Sequence, residues 1–221
     1  MSSDSPVLAT QPLTLPRTQR PEMLDRFTRD MVGGELRLVH DQGLYRHITF
    51  RPSKGNFCWF DIITTPGQLT IRGDMGDYMF AREPDMLRDF FHRNVNPGYW
   101  KEKLIAQDVQ SPAWDYSYDV FRGEVLKQFW EKRRDFHTAG AKELWEEIRD
   151  VGPLSDWTDN QHVAGARAAL EDFTSDVAPG FRFDLDDEDD FHDYGFQYLW
   201  CCHAVLWAAS AYRAHHRAVA S

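Results

Sequence analysis

The stretch Asn56-Phe-Cys-Trp-Phe-Asp-Ile-Ile-Thr64 is apolar at six of its nine positions, on both of its faces, and the fold prediction starts from it. A strand that is apolar on both faces lies in the middle of a sheet. On either side of it, apolar and polar residues alternate with a period of two between Gly- and Pro-containing turn signals. The sequence therefore predicts an antiparallel β-meander over residues 34–81. Its strands are predicted at 35–40, 44–51, 56–64 and 68–72, the last paired with 78–81, and its turns at 41–43, 53–55 and 65–67.

After Arg82 the spacing of apolar residues becomes that of helices. Asn96 followed by Pro97 is a typical helix start, with a capping side chain before Pro at the first helical position. The last helix is predicted to be the spine of the core, because four of its side chains share one face at spacings of four, three and four: Phe196, Trp200, His203 and Trp207. Helices are predicted at 84–91, 97–107, 119–134, 140–151, 159–176 and 191–216, with a short strand at 180–184.

Strands followed by helices predict an α+β fold, in which the meander packs against helices from the C-terminal half and the long C-terminal helix lies in the core. Residues 1–22 are predicted to be a flexible tail. Residues 23–221 are predicted to form a single domain, with its sheet at 34–81 and its helical part at 84–216.

The chain has 35 acidic and 25 basic residues, a formal charge of −10. This charge disfavours direct nucleic-acid binding and suits a partner with a basic surface. Three cysteines without CxxC spacing favour a reducing cytoplasm. The first twenty residues lack the pattern of a signal peptide, and no apolar segment is long enough to predict a membrane span.

The segment Leu69-Thr-Ile-Arg-Gly-Asp-Met-Gly-Asp-Tyr-Met-Phe80 places Asp74 and Asp77 between two strands. Asp and Gly are preferred turn residues, so one interpretation is a hairpin turn whose carboxylates bind backbone amides. The alternative is a site for a divalent metal or for catalysis, in which Asp61 and either His47 or His92 join the two aspartates. The sequence does not show whether these side chains meet.

Seven carboxylates crowd into the ten residues from Asp184 to Asp193, directly before the last helix. Such a run is usually a solvated loop, and its functional interpretation is docking to a basic partner, with Glu146, Glu147 and Asp150 as further contacts. Calcium binding is a weaker alternative because the run contains no glycine. The candidate partner-binding residues are Asp184, Asp186, Asp187, Glu188, Asp189, Asp190 and Asp193.

The sequence contains none of the common catalytic or nucleotide-binding signatures. It has no GxSxG, no HExxH, no GxxxxGK[ST] and no dinucleotide fingerprint after a strand. No cofactor is therefore predicted, and a binding protein is favoured over an enzyme.

Several motifs in order resemble a family of hypothetical proteins of temperate tailed phages and bacterial prophages. The resemblance covers residues 43–107 and 181–209 and leaves 110–179 unmatched. Its motifs are Gly43-Leu-Tyr-Arg-His-Ile-Thr-Phe50, Cys58-Trp-Phe-Asp61 with Thr65-Pro-Gly67, Gly73-Asp-Met-Gly-Asp-Tyr78, Asn96-Pro-Gly-Tyr-Trp100 with Glu102-Lys-Leu104, and Leu199-Trp-Cys-Cys202 with Ala204.

The resemblance implies a phage gene expressed in the cytoplasm of a bacterial host, and it brings no activity or catalytic residue with it. We therefore expect an accessory protein that binds and inhibits or redirects a host protein through its acidic surface, as a counter-defence (anti-CRISPR-like) factor does. The alternative is a metal-dependent hydrolase or nucleotide-processing enzyme that uses Asp61, Asp74, Asp77 and a histidine. A virion or assembly component is a third hypothesis.

Overall fold

The computed structural model describes residues 5–8, 21–55, 57–135, 138–185 and 191–220. The fold is α+β, as predicted, with an antiparallel N-terminal sheet and helices that include a long one at the C-terminus. The chain forms two compact units. Unit 1 comprises Met1–Ala113 and Tyr194–Ser221, and unit 2 comprises Trp114–Asp193. The sequence analysis predicts one domain over residues 23–221 and does not predict this division.

Unit 1 is built on a six-stranded sheet whose neighbouring strands are consecutive in the chain and antiparallel. The predicted meander is therefore confirmed, and one further strand extends it. The strands are β1 (Glu35–Gln42), β2 (Tyr45–Arg51), β3 (Phe60–Thr65), β4 (Gln68–Gly73), β5 (Tyr78–Ala81) and β6 (Leu104–Gln107).

Tight turns keep consecutive strands side by side. Between β3 and β4, Thr65 pairs with Gln68 across a two-residue turn of Pro66 and Gly67. Pro presets the first position of such a turn, and Gly67 takes a φ of +80° that most side chains resist. β3 buries Phe60 and Ile62 on the face that enters the core, because strand side chains alternate between faces.

Several predicted elements differ from the structure. The strand predicted at 56–64 begins only at Phe60, because Cys58 before it takes a φ of +65° that strands do not contain. The helix predicted at 159–176 is only Val163–Glu171, because the His162 side chain caps its start by accepting the Gly165 amide. The helix predicted at 191–216 begins at Phe196, since His192–Tyr194 pairs as a strand.

Three further differences lie in short elements. Residues 84–91 contain a π-helical turn, Met86–Phe90. The helix predicted at 97–107 is only α2 (Pro97–Lys101), whose amide at Tyr99 is capped by the Asn96 side chain, and the chain then enters β6. The pairing of β6 with β5 decides this, since local helix propensity is a weak preference that tertiary contacts override. Residues 180–184 do not form the predicted strand.

The predicted long C-terminal helix is confirmed as α6 (Phe196–Val219), which is buried over most of its length. It packs with the sheet and with α1 (Pro21–Asp30) in one core. The Phe27 ring of α1 lies edge-on to Trp200 at 5.1 Å and to Trp207 at 6.0 Å. Part of the predicted flexible tail also belongs to the fold, since Leu8 donates its amide to Leu36 O of β1 and is buried.

A buried ion pair fixes the sheet to the segment after β5. Arg46, 4% exposed, donates from both terminal nitrogens to the Asp85 carboxylate at 2.7 and 2.6 Å. Burial opposes charge on Asp85, but hydrogen bonds from Arg46 and from the Arg88 amide lower its pKa below the usual value. The Arg46 guanidinium also lies over the Tyr212 ring of α6 at 5.0 Å.

We expect Arg46→Met to lower the free energy of unfolding by about 3 kcal/mol, because it leaves the part-buried Asp85 carboxylate without its ion-pair partner. Adding Asp85→Asn should restore about 1 kcal/mol, since the unpaired charge is then gone and the amide oxygen still caps Arg88. Urea denaturation measures both. Arg37→Met is the matched control and should change stability by less than about 0.5 kcal/mol, because Arg37 pairs with the exposed Glu35. Equal losses for the two arginines would contradict this account.

His203 is buried in the core of unit 1. It is 3% exposed, its ring stacks on Phe27 at 5.9 Å, and its Nδ1 has no hydrogen-bond partner. Burial lowers the pKa of His203 to about 4, so the ring is neutral in the folded protein at neutral pH.

This depressed pKa predicts acid sensitivity. As the pH falls below 6.5, His203 of the unfolded chain binds a proton, whereas His203 of the folded chain binds one only near pH 4. The free energy of unfolding therefore falls across this window, by roughly 3 kcal/mol in total. Urea titrations from pH 7 to pH 4 should therefore show a smaller loss for His203→Gln than for the wild type. His92→Gln, at an exposed site, is the control and should keep the wild-type slope.

Unit 2 has a separate core between three helices. α3 (Tyr118–Lys132) begins at Ser117, whose hydroxyl accepts from the Val120 amide. Its Phe121 and Phe129 pack with Leu144 and Leu170 in this core. The other elements are α4 (Thr138–Asp150), α5 (Val163–Glu171) and a two-stranded sheet of β7 (Trp114–Tyr116) and β8 (His192–Tyr194).

Candidate functional site

The turn after β4 uses both of its aspartates to hold backbone. Asp74 Oδ2 accepts the Cys58 amide at 2.8 Å, and Asp77 Oδ1 accepts the Gly73 amide at 3.1 Å. The predicted hairpin turn with carboxylates bound to backbone amides is therefore confirmed. Charged acceptors make the stronger class of hydrogen bond, so these contacts also explain why Asp is used here.

This turn lies against the residues that lead into β3. A Cβ at Gly73 would meet the Trp59 carbonyl oxygen at 2.2 Å, so only glycine fits there. Cys58 has a φ of +65°, which is unfavourable for a side-chain-bearing residue, and the Asp74 hydrogen bond holds its amide. Burial, with the charges of Asp30 and Asp74, raises the pKa of the Cys58 thiol to about 11. At neutral pH this thiol is protonated and is a poor nucleophile.

Asp61 lies on the sheet face opposite to Phe60 and Ile62, at the middle strand β3. It is 8% exposed, and its Oδ1 lies 2.7 Å from Nη2 of Arg51 and 3.8 Å from Nε2 of His47. Of the candidate side chains, the structure thus brings Asp61 and His47 together. The Arg51 guanidinium already neutralises the carboxylate, which disfavours a second cation beside it.

The remaining candidates do not complete a site with this pair. His92 is exposed in the turn after Met86–Phe90, and Asp74 and Asp77 are occupied by backbone amides. Within the residues that the structure describes, no three His, Cys, Asp or Glu side chains form a group that could hold a metal ion. The geometry therefore supports a structural role for Asp74 and Asp77.

The acidic run before α6 is described only at its ends. Asp184 has an exposed carboxylate 2.8 Å from Lys132 Nζ, while Gln128 fixes its backbone through hydrogen bonds to its amide and its carbonyl oxygen. Asp193 lies half-buried in β8. Asp186, Asp187, Glu188, Asp189 and Asp190 lie outside the described residues.

A groove in unit 2 collects further carboxylates that the sequence analysis did not connect. It has a volume of about 490 Å³. We call it the acidic groove, because four of its lining side chains are carboxylates and none is basic. Its lining consists of Glu147, Val151, Gly152, Thr158, Asp159, Gly165, Ala168, Ala169, Asp172, Phe173, Thr174 and Asp176.

Close packing shapes the walls of the acidic groove. Glu147 accepts the Ser175 hydroxyl and, at 3.3 Å, the Asp176 amide, so α4 is tied to the segment after α5. A Cβ at Gly165 would meet the Asp159 carbonyl oxygen at 2.2 Å, so this glycine lets α5 approach the turn before it. The groove is therefore formed within unit 2 by its own packing.

The negative charge of the chain is concentrated in the same unit. Residues 114–193 contain 21 acidic and nine basic residues, a formal charge of −12. The rest of the chain contains 14 acidic and 16 basic residues, a charge of +2. Counting charge by segment would have shown this from the sequence, although the unit boundaries come from the structure.

No family model, curated protein or solved structure matches this chain. In the described parts of the chain, no helix is both long enough and apolar enough to cross a membrane.

We expect Asp74→Ala to lower the free energy of unfolding by about 1–2 kcal/mol, because the Cys58 amide loses a charged acceptor. Asp25→Ala, at an exposed position of α1, should change it by less than about 0.5 kcal/mol. Adding Mn²⁺ or Zn²⁺ should leave the thermal midpoint of the wild type unchanged. A metal-dependent rise in the midpoint that Asp74→Ala abolishes, without a loss of stability, would contradict the structural role.

Proposed function

We propose that this protein is a phage or prophage accessory protein that binds a basic surface of a bacterial host protein through unit 2 and inhibits or redirects it. A counter-defence (anti-CRISPR-like) role is the form of this activity that we favour. The observation that carries the proposal is the charge of −12 within residues 114–193. The phage origin and the cytoplasmic host partner rest on the family resemblance of the motifs in residues 43–107 and 181–209.

The charge distribution supports binding rather than mere solubility. If the acidic residues served only to keep the protein in solution, both units would carry an excess of them. Unit 1, however, is close to neutral. A field concentrated on one unit orients an approaching basic partner and accelerates association, and it weakens as salt screens it. A row of carboxylates can also occupy a basic groove that normally receives phosphates.

The hydrolase alternative has less support. It needs Asp61, Asp74 and Asp77 as ligands or acid–base groups, whereas two of these carboxylates bind backbone amides and the third lies beside Arg51. The buried thiols of Cys201 and Cys202 are not available as nucleophiles either, because burial raises the pKa of both.

Affinity purification of the tagged full chain from a nuclease-treated bacterial lysate tests the proposal. We expect one host protein with a basic surface to be retained at 50 mM NaCl and released at 500 mM. The purified partner should then bind at least about fivefold more weakly to a variant with four acids of the 184–193 run changed, Asp184→Asn, Asp186→Asn, Asp187→Asn and Glu188→Gln.

The matched control removes the same charge from exposed positions of unit 1. It carries Glu22→Gln, Asp25→Asn, Asp89→Asn and Glu102→Gln and should bind within about twofold of the wild type. The absence of a retained protein would contradict the proposal. Docking through unit 2 would be contradicted in two further cases. One is that the host protein is retained equally at both salt concentrations, and the other is that both sets of substitutions weaken binding equally.

A further inference from the structure

The acidic groove carries more negative charge than unit 2 neutralises internally. The carboxylates of Glu147, Asp159, Asp172 and Asp176 line it, and no Lys, Arg or His does. Two of them have partners within the unit, since Glu147 accepts the Ser175 hydroxyl and Asp159 Oδ2 lies 3.1 Å from His162 Nε2. The carboxylates of Asp172 and Asp176 are therefore the main acceptors that the groove offers to a cation.

The lining also suits the aliphatic part of a long basic side chain. Gly165, Ala168 and Ala169 are small residues that line the groove along α5, and Phe173 also lines it. Arginine and lysine bury their methylene stems on such apolar surface while the charged head remains at polar groups. The planar guanidinium of arginine matches a carboxylate with two parallel hydrogen bonds, so arginine fits this lining best.

Two exposed apolar side chains accompany the groove. Val151 lines it and is 75% exposed, while Trp157, directly before the lining residue Thr158, is 93% exposed. The turn that carries Trp157 is fixed, since Thr158 Oγ1 donates to the Gly152 carbonyl oxygen at 2.8 Å and Asn160 Nδ2 donates to that of Pro153 at 2.8 Å. A tryptophan held almost entirely in solvent adds nothing to the core, and such residues often anchor interfaces.

We propose that the acidic groove is the docking site for a segment of the partner protein that carries arginine or lysine beside an apolar residue. This inference rests on the proposed function and names the site and the chemistry of the partner. The basic side chain enters among the carboxylates, and the apolar residue covers Trp157 and Val151. Charge complementarity selects a protein segment over a nucleic acid, and the apolar contact selects it over a free polyamine.

A peptide titration of the full-length, ¹⁵N-labelled protein tests this site directly. The probe is an acetylated, amidated ten-residue peptide with four arginines and two leucines among serines, and the comparison peptide has citrulline in place of arginine. We expect the arginine peptide to shift the amide resonances of the lining residues in the segments 147–152, 158–165 and 168–176. The citrulline peptide should bind at least about fivefold more weakly, because it keeps the shape and loses the charge.

Two double variants separate the groove from the general charge of unit 2. D172N/D176N neutralises two lining carboxylates, while E143Q/E171Q neutralises two exposed carboxylates of α4 and α5 that do not line the groove. Each exposed charge contact contributes a factor of about 1.4 to 5 in affinity. We therefore expect about fivefold weaker peptide binding for the first variant and less than about twofold for the second. Trp157→Ala should weaken binding about fivefold and leave its salt dependence unchanged.

Unchanged thermal midpoints of the variants show that they remain folded. Equal losses for the two double variants, equal binding of the citrulline peptide, or shifts outside the groove would overturn the inference. If a captured host protein still depends on unit 2 in that case, the proposed function stands and only the groove assignment falls. If the peptide occupies the groove but no host protein is captured, the site for basic segments stands and the proposed function falls.

Discussion

The burial of α6 is the constraint on which unit 1 depends. Tyr198, Trp200, Cys202 and Val205 are all buried, although they point in different directions around the helix, so α6 has no wide polar face to give to solvent. Such a helix must be enclosed, and the apolar face of the sheet and α1 enclose it. The aromatic rings of Phe27, Phe50, Phe60, Trp200 and Trp207 meet at this junction with centroid distances of 5.1–6.5 Å.

Much of the polar chemistry of unit 1 serves this packing. Asp30 accepts the indole N–H of Trp200, and Asp41 accepts from the Tyr212 hydroxyl and pairs with His216. Arg213 donates to the carbonyl oxygens of Leu87 and Phe91. Burying a polar group costs free energy unless the group is hydrogen-bonded. The polar side chains of the buried helix α6 therefore need these partners. The carboxylates of Asp30 and Asp41 are therefore engaged in holding the fold.

The sequence predicts the parts of the fold that are set by local pattern. The apolar run in β3, the alternation in the strands beside it and the Pro66–Gly67 turn determine the meander. The spacing of Trp200, His203 and Trp207 determines α6. The sequence does not predict β6, because Leu104–Gln107 follows a well-capped helix start and no helix-breaking residue separates the two. Only its pairing with β5 makes this segment a strand. Of the candidate site, the link between Asp74, Asp77 and backbone amides follows from turn preferences. The contact of Asp61 with His47 depends on strand register, which a one-residue shift would have destroyed.

The acidic groove could not be predicted in the same way, because its lining runs from Glu147 to Asp176 through two helices and the turn between them. Only the packing of α4 with α5 brings these residues together. That packing has an electrostatic cost, since like charges on a compact unit repel one another and weaken it. A basic partner that bound the groove of the folded unit, as proposed, would remove part of this repulsion and would stabilise unit 2 by linkage. On that proposal, the carboxylates that weaken the free unit are the ones that favour the complex, so the stability of unit 2 is coupled to partner binding.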